Sequence, residues 1–272
     1  IHLILFLVAS TSCQNKTPEK ISPTNESGES LTGLELSKQY CASCHLYPEP
    51  TLLTTKTWEK YILPRMGYML GIYGNDSVRF GLIEAGKAGE LVEAASIFPH
   101  SPLISDDHWS KIRAYYLNES SDKLEPTVHR YTEQNQFKVI IPSYQLSPPS
   151  TTLTKFSLNG DIYLGDANSK SILKLDKNLN LIKTGKVPEG VVNLEELEGS
   201  IFMTAMGSFS PTDSPLGSVI QFPESGSPKV LIDGLQRPVH SSFHDFDNNG
   251  LRDIVISEFG KWTGSLSLWK NL

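Results

Sequence analysis

Apolar positions recur with two different periods along this chain of 272 residues. Over residues 31–125 they recur every three or four positions, which is typical of amphipathic helices. From residue 137 onwards, short runs rich in β-branched residues alternate with Gly, Asn, Asp and Pro, which is typical of strands joined by turns. The pattern predicts a multidomain protein, with an all-α domain over 31–125 and an all-β domain over 137–272.

Capping residues mark helix boundaries in the first domain. Thr32 and Glu35 have the spacing of a capping box, which predicts a helix that starts directly after Thr32. Ser105 is a suitable N-cap for a second helix. The side chains that share one face of this second helix are Trp109, Ile112 and Tyr116. Between the two helices, Pro64 predicts the end of an intervening helix.

The second domain contains a repeat. The segments SILKLD, SVIQFP and SLSLWK start at residues 171, 218 and 265, an interval of 47 residues each time. Repeats of this length with about four strands each are typical of β-propeller blades. Three repeats are fewer than a closed ring needs, so we expect a partial β-propeller truncated at the C-terminus. A plain sandwich is the alternative, although it would not require equal spacing.

Composition and charge narrow the class of protein. Hydrophobic residues make up 39% of the chain and charged residues 20%, which is the balance of a globular protein. The formal net charge of −6 argues against a nucleic-acid partner, because nucleic-acid binders carry a basic surface.

The pattern of the N-terminal residues indicates an export signal. Residues 1–9 are almost wholly apolar, and Ser10–Ser12 are small and precede Cys13. This arrangement resembles a bacterial lipoprotein signal peptide, which implies a signal peptide over 1–12 and lipidation of Cys13. An ordinary signal peptide with an unmodified Cys13 is the alternative. Residues 13–30 are polar and predict a flexible tether, so we expect an exported protein, in the periplasm or at the cell surface, anchored to a membrane.

The first domain carries the pattern C-x-x-C-H at Cys41, Cys44 and His45. This is the attachment pattern of c-type haem, in which two thiols add to the porphyrin vinyl groups and the histidine binds the iron. Half of a zinc site is an alternative, but the sequence has no second cysteine pair. A thioredoxin-type redox pair is another, but no βαβ pattern surrounds the cysteines.

The capped helix that leads into CASCH, the methionine-containing segment LPRMGYML and the later W-x-x-I-x-x-Y-Y helix together resemble a class I cytochrome c domain. The resemblance covers about 95 residues. It implies one covalent haem c, one-electron transfer, and a methionine as the second axial ligand of the iron. Met66 is the favoured ligand, and Met69 and His100 are the alternatives.

The third β repeat contains the segment DFDNNGLRD. In a calcium loop, Asp245, Asp247 and Asn249 would supply side-chain oxygens, Leu251 its backbone carbonyl and Asp253 a carboxylate. Together with the following IVISEFG, the segment resembles the FG-GAP or VCBS repeats of calcium-binding propellers, which implies a structural Ca²⁺. An ordinary hairpin turn rich in Asp and Asn is the alternative.

These patterns predict an exported monohaem c-type cytochrome that transfers single electrons and is fused to a calcium-binding type of β-propeller. The redox partner would be a protein or a quinone-linked donor or acceptor. Two alternatives are a haem-containing dehydrogenase of sugars or alcohols and a surface adhesion or carbohydrate-binding propeller with an accessory haem. The sequence has no nucleophile or dinucleotide motif, so we assign no catalytic residue and favour an electron carrier over an enzyme.

Overall fold

A computed structural model describes residues 30–125 and 136–272. The first of these ranges is helical. Its helices are α1 (Gly33–Cys41), α2 (Thr55–Thr57), α3 (Leu63–Met69), α4 (Asp76–Leu82), α5 (Lys87–Ala94) and α6 (Asp106–Glu119). A 3₁₀ turn lies at Pro50–Leu52, and a π-helical turn at Trp58–Ile62 joins α2 to α3.

The predicted capping residues are confirmed at α1 and α6. Thr32 Oγ1 accepts a hydrogen bond from Glu35 N at 3.3 Å, and Thr32 N donates to Glu35 Oε2 at 2.9 Å. Ser105 Oγ accepts from His108 N at 3.2 Å, and the predicted face of α6 is buried. The two helices approach closely at Gly33, where a Cβ would lie 2.4 Å from Lys111 O, so only glycine fits there.

The prediction that Pro64 ends a helix is wrong. Pro64 lies in the first turn of α3. Backbone N–H groups in a first turn have no acceptor within the helix, so proline, which has no N–H, is tolerated there. A π-helical turn comes directly before α3. Leu63 N donates to Trp58 O at the end of this turn, and the chain then continues as α3.

The second described range forms three antiparallel sheets. The first sheet has the order β1-β2-β3-β4, the second β5-β6-β7-β8 and the third β11-β10-β9. The strands are β1 (Thr151–Phe156), β2 (Ile162–Asp166), β3 (Ser171–Leu175), β4 (Leu181–Lys186), β5 (Val191–Leu197), β6 (Ser200–Ala205), β7 (Gly217–Phe222), β8 (Lys229–Leu235), β9 (Pro238–His244), β10 (Asp253–Phe259) and β11 (Gly264–Trp269). The 47-residue interval therefore relates β3, β7 and β11, each the third strand of its sheet.

Successive sheets meet along their first strands. Thr152 Oγ1 on β1 donates to Val191 O on β5 at 2.7 Å, and Asn193 Nδ2 on β5 donates to Ser241 O on β9 at 2.6 Å. Apolar clusters fill the space around these contacts. The first is formed by Leu153, Tyr163, Val191, Leu194, Met203 and Ala205, and the second by Val219, Ile232, Leu235, Ile254 and Ile256.

The helices also contact the sheets directly. The buried ring of Phe98 packs edge-on against Trp262, with ring centroids 5.1 Å apart. Glu84 Oε1 pairs with Lys261 Nζ at 3.2 Å, and Thr212 Oγ1 donates to Glu84 Oε2. The helical segment is thus fastened to two loops of the β-sheet region by one aromatic contact and one polar cluster.

Two predictions about the fold are wrong. The all-α class I cytochrome c domain is not found among the described residues, because these are mainly antiparallel sheet and the helices of residues 30–125 are short and interrupted by turns. The partial β-propeller is not found either, because the described residues 136–272 form three separate antiparallel sheets in which no propeller is detected. Equal strand spacing predicted repeated sheets, but it does not determine how the sheets are arranged around an axis. The resemblances to class I cytochromes and FG-GAP propellers therefore do not extend to the fold.

The predicted signal peptide over 1–12, Cys13 and most of the tether over 13–30 lie outside the described residues. Within the described ranges, no helix combines the length and apolar character needed to cross a bilayer.

Candidate cofactor site

The C-x-x-C-H residues lie where α1 ends and an irregular loop begins. Cys41 is the last residue of α1 and is buried, with 5% of its surface exposed. Cys44 and His45 follow in the exposed loop, and neither cysteine forms a disulfide. One buried free thiol, one exposed free thiol and one exposed imidazole therefore lie within five consecutive residues.

The environment of Cys41 keeps its sulfur protonated. Burial raises the pKa of the Cys41 thiol to about 11, and the neighbouring Tyr116 hydroxyl opposes this rise only in part. The pKa of Tyr116 is raised as well, chiefly because its ring lies in the core of the helical segment. Both groups are neutral at physiological pH, so this site provides a thiol and a phenol rather than charged nucleophiles.

The imidazole of His45 has one engaged and one available nitrogen. Its Nδ1 donates to Leu46 O at 2.7 Å, which leaves Nε2 with a lone pair that points away from this bond. A hydrogen bond from one ring nitrogen to a backbone carbonyl is the usual way in which a metal-binding histidine is oriented. His45 therefore has the chemistry of an axial ligand.

The loop after His45 is tied to the helices by side chains for which the sequence predicted no role at the site. Tyr116 Oη donates to Pro48 O at 2.8 Å, and Trp58 Nε1 donates to Pro50 O at 2.7 Å. Tyr47 Oη and Ser37 Oγ lie 2.8 Å apart. The helical periodicity of Tyr116 predicted burial, but no sequence signal indicated which carbonyls the polar atoms of Tyr116 and Trp58 would bind.

The three candidates for the second axial ligand lie in different settings. Met66, on α3, packs against the core of the helical segment, while Met69 at the end of α3 is 37% exposed. His100 is engaged already, because its Nε2 lies 3.3 Å from Glu93 Oε2 and 3.2 Å from Arg79 Nη2. Neither methionine has a competing polar contact of this kind among the contacts the structure describes.

The aspartate loop lies between β9 and β10. One oxygen each from Asp245, Asp247 and Asp253 can be chosen so that all three lie within 4.8 Å of one another. Lys270 Nζ, however, pairs with Asp247 Oδ2 at 3.0 Å. Asp253, which is fully buried, accepts hydrogen bonds from Phe246 N at 3.0 Å and Asn271 N at 2.9 Å.

The other two predicted calcium ligands are less well placed. The Oδ1 of Asn249 accepts from Leu251 N at 2.7 Å, and its Nδ2 donates to Asn271 O at 3.0 Å, so the side chain is used within the turn. Leu251 is exposed. The structure thus gathers the three carboxylates and does not add Asn249 to them.

Comparisons with known proteins add little to this site. No family model matches the chain, and no curated protein matches it. Among solved structures, Sqt1 of Saccharomyces cerevisiae is similar with a TM-score of 0.31 and 18% identity, over 44% of this chain and 31% of Sqt1. The chain thus matches less than a third of Sqt1, and the functional argument rests on the residues of the site itself.

Proposed function

We propose that the chain binds one haem covalently through Cys41 and Cys44, with His45 as an axial ligand, and that it transfers single electrons. The observation that carries this proposal is the arrangement of CASCH. Two free thiols and an oriented imidazole with an available Nε2 occur at the start of an exposed loop. Zinc binding is less well supported, because the described residues near the two cysteines supply no further thiolate.

The residues present fit a haem in their donor chemistry. Thioether formation needs thiols rather than a disulfide, and both cysteines are free. A metal-binding histidine needs its Nδ1–H bonded elsewhere, and that of His45 is bonded to Leu46 O. Cys44 and His45 are exposed, so a bulky planar group has access to them.

Each residue would have a distinct role. Cys41 and Cys44 would fasten the group to the end of α1, so that it cannot dissociate. His45 would hold the iron through Nε2, and we keep Met66 as the second ligand, with Met69 and His100 as alternatives. When bound, the haem supplies a one-electron Fe(III)/Fe(II) couple, whose potential the chain sets through ligand identity and burial.

The same proposal implies a location and partners. Covalent attachment of haem takes place outside the cytoplasm, and the apolar residues 1–9 agree with export. The partner would be a redox protein or a quinone-linked donor or acceptor, and Cys13 would carry a lipid anchor.

A redox titration tests this function. In haem-loaded protein, we expect one reversible one-electron transition per chain, followed by the haem absorbance. A chain that carries haem but shows no reversible transition within the range of biological potentials would contradict electron transfer.

We also propose that the aspartate loop binds one structural Ca²⁺ through Asp245, Asp247 and Asp253. The support is the convergence of three carboxylates, which repel one another unless a cation lies between them. Lys270 neutralises part of this charge, so a calcium ion has to displace its ammonium group from Asp247.

Calcium should therefore raise the melting temperature of the β-sheet region, because an ion that binds only the folded state stabilises it by mass action. We expect a rise of a few degrees at saturating calcium, measured by calorimetry, and no rise for Asp247→Asn. Asp176→Asn is the matched control, because the carboxylate of Asp176 accepts hydrogen bonds from Asn178 and Asn180 in a turn of the first sheet. A melting temperature that is independent of calcium in the parent protein would show that the aspartate loop is an ordinary turn without a calcium site.

A further inference from the structure

The exposed part of the cofactor loop lies between two fixed points. At its start, Cys41 is buried at the end of α1. At its end, Tyr47 Oη lies 2.8 Å from Ser37 Oγ, and Ser37 Oγ itself donates to Leu34 O at 2.8 Å. Since the single hydroxyl hydrogen of Ser37 is used on Leu34 O, Tyr47 is the donor in this pair. The loop therefore returns to the helix that it left, one turn before Cys41.

Two further bonds fix the backbone directly after Tyr47. Tyr116 on α6 binds the carbonyl of Pro48, and Trp58 in the π-helical turn binds the carbonyl of Pro50. Proline has no N–H, so at these two positions the carbonyl is the only backbone group that can be held by a hydrogen bond. The rings of Trp58 and Tyr116 lie 4.6 Å apart, which fixes the two donors relative to each other.

Packing alone does not explain the hydroxyl group of Tyr116. Tyr116 is fully buried among apolar side chains, where a phenylalanine ring would fill the same space without a polar atom. A buried hydroxyl costs free energy unless it is bonded, and here it is bonded to the loop that carries His45. The bond links α6 to a carbonyl three residues after the axial ligand.

We propose that Tyr116 is a positioning residue, which orients His45 by holding Pro48, and that Trp58 and Ser37 complete this clamp. The inference rests on the proposed function, because orientation of His45 matters only if it binds iron. The clamp orders residues 42–46 before any cofactor arrives. Because the loop is already ordered, binding of the cofactor costs less conformational entropy. The imidazole of His45 then has a single orientation.

Tyr116→Phe tests the clamp, because it removes one oxygen and leaves the ring contact with Trp58. Limited proteolysis with thermolysin reports on the cofactor-free chain at Leu46, which is 93% exposed. A protease needs an extended segment, so cleavage before Leu46 requires release of Pro48 from Tyr116. We expect cleavage about tenfold faster, the change that corresponds to loss of about 1.4 kcal/mol. Ser37→Ala, which removes the partner of Tyr47, should act in the same direction.

The matched control is Tyr163→Phe, which removes a hydroxyl bonded to Glu196 Oε1 at 2.9 Å in the β-sheet region. It should leave cleavage at Leu46 unchanged. In haem-loaded protein, electron paramagnetic resonance of the ferric state should show one low-spin signal for the parent and for Tyr163→Phe. Tyr116→Phe should show a broadened or second low-spin signal, because His45 then takes more than one orientation.

The outcomes separate this inference from the function on which it rests. If the parent carries covalent haem but Tyr116→Phe changes neither cleavage at Leu46 nor the low-spin signal, Tyr116 is only a core residue and the inference fails alone. If cleavage increases and the low-spin signal is unchanged, the clamp holds the loop without orienting His45, and the inference fails. If the parent carries no covalent haem, the proposed function and the inference fail together.

Discussion

Substitution of both Cys41 and Cys44 by alanine will remove all covalent haem from the chain. In the proposed attachment each thiol would form one bond to the haem, so a single substitution should leave haem attached by the remaining sulfur, and the double substitution should leave none. The measurement is the fraction of haem that stays with the protein after extraction with acidified acetone, following co-expression with a haem-attachment system in an exported form.

The single variants make this prediction sharper. Cys44→Ala removes an exposed side chain and should leave the fold unchanged, while Cys41→Ala removes a buried thiol from the helical core. Both should keep covalent haem at reduced yield. The third cysteine, Cys13, is the internal control, because Cys13→Ala should leave haem attachment unchanged. Retention of haem by the double variant would contradict the assignment of these two residues.

Substitution of Asp213 by alanine should lower the free energy of unfolding by about 3 kcal/mol. Asp213 is fully buried, and its Oδ1 accepts hydrogen bonds from Lys261 N at 3.1 Å, Trp262 N at 3.0 Å and Thr263 N at 2.8 Å. Alanine leaves these three partly buried N–H groups without an acceptor. The same loop carries Trp262, so contact of the helices with the sheets should weaken too.

Denaturant unfolding measures this effect through the transition midpoint at unchanged slope. Asp233→Ala is the matched control, because Asp233 is exposed on β8 and should change the free energy of unfolding by less than about 0.5 kcal/mol. Asp213→Asn should fall between the two, since the amide keeps one acceptor oxygen and loses the charge. Equal stabilities of Asp213→Ala and Asp233→Ala would show that the loop does not depend on this carboxylate.

The features that could be predicted from the sequence are local ones. The capping box at Thr32 and Glu35 and the buried face of α6 depend on residues within a few positions of one another, and both are confirmed. The equal spacing of β3, β7 and β11 was also visible, because each repeat carries its own turn residues. The prediction for Pro64 was wrong because proline is disfavoured inside a helix but tolerated in its first turn. Pro64 lies in the first turn of α3.

The features that could not be predicted join residues far apart in the chain. Asp213 binds a loop 48 to 50 residues later, and Glu84 pairs with Lys261 across 177 residues. Hydrophobic periodicity carries no information on such pairs, nor on the contact between Phe98 and Trp262. The bond from Tyr116 to Pro48 spans 68 residues, so the C-x-x-C-H pattern predicts a cofactor site but gives no indication of the side chains that hold its loop.

The central claim, covalent haem at CASCH, is tested most directly by the mass of one peptide from the haem-loaded parent protein. Trypsin cleaves after Lys38 and Lys56, so residues 39–56 are released as a single fragment that contains Cys41, Cys44 and His45. We expect this fragment to carry the visible absorbance of haem and a mass greater than that of its sequence by one haem. A fragment with the plain mass of its sequence, from cells in which a known c-type cytochrome acquires haem, would contradict the account.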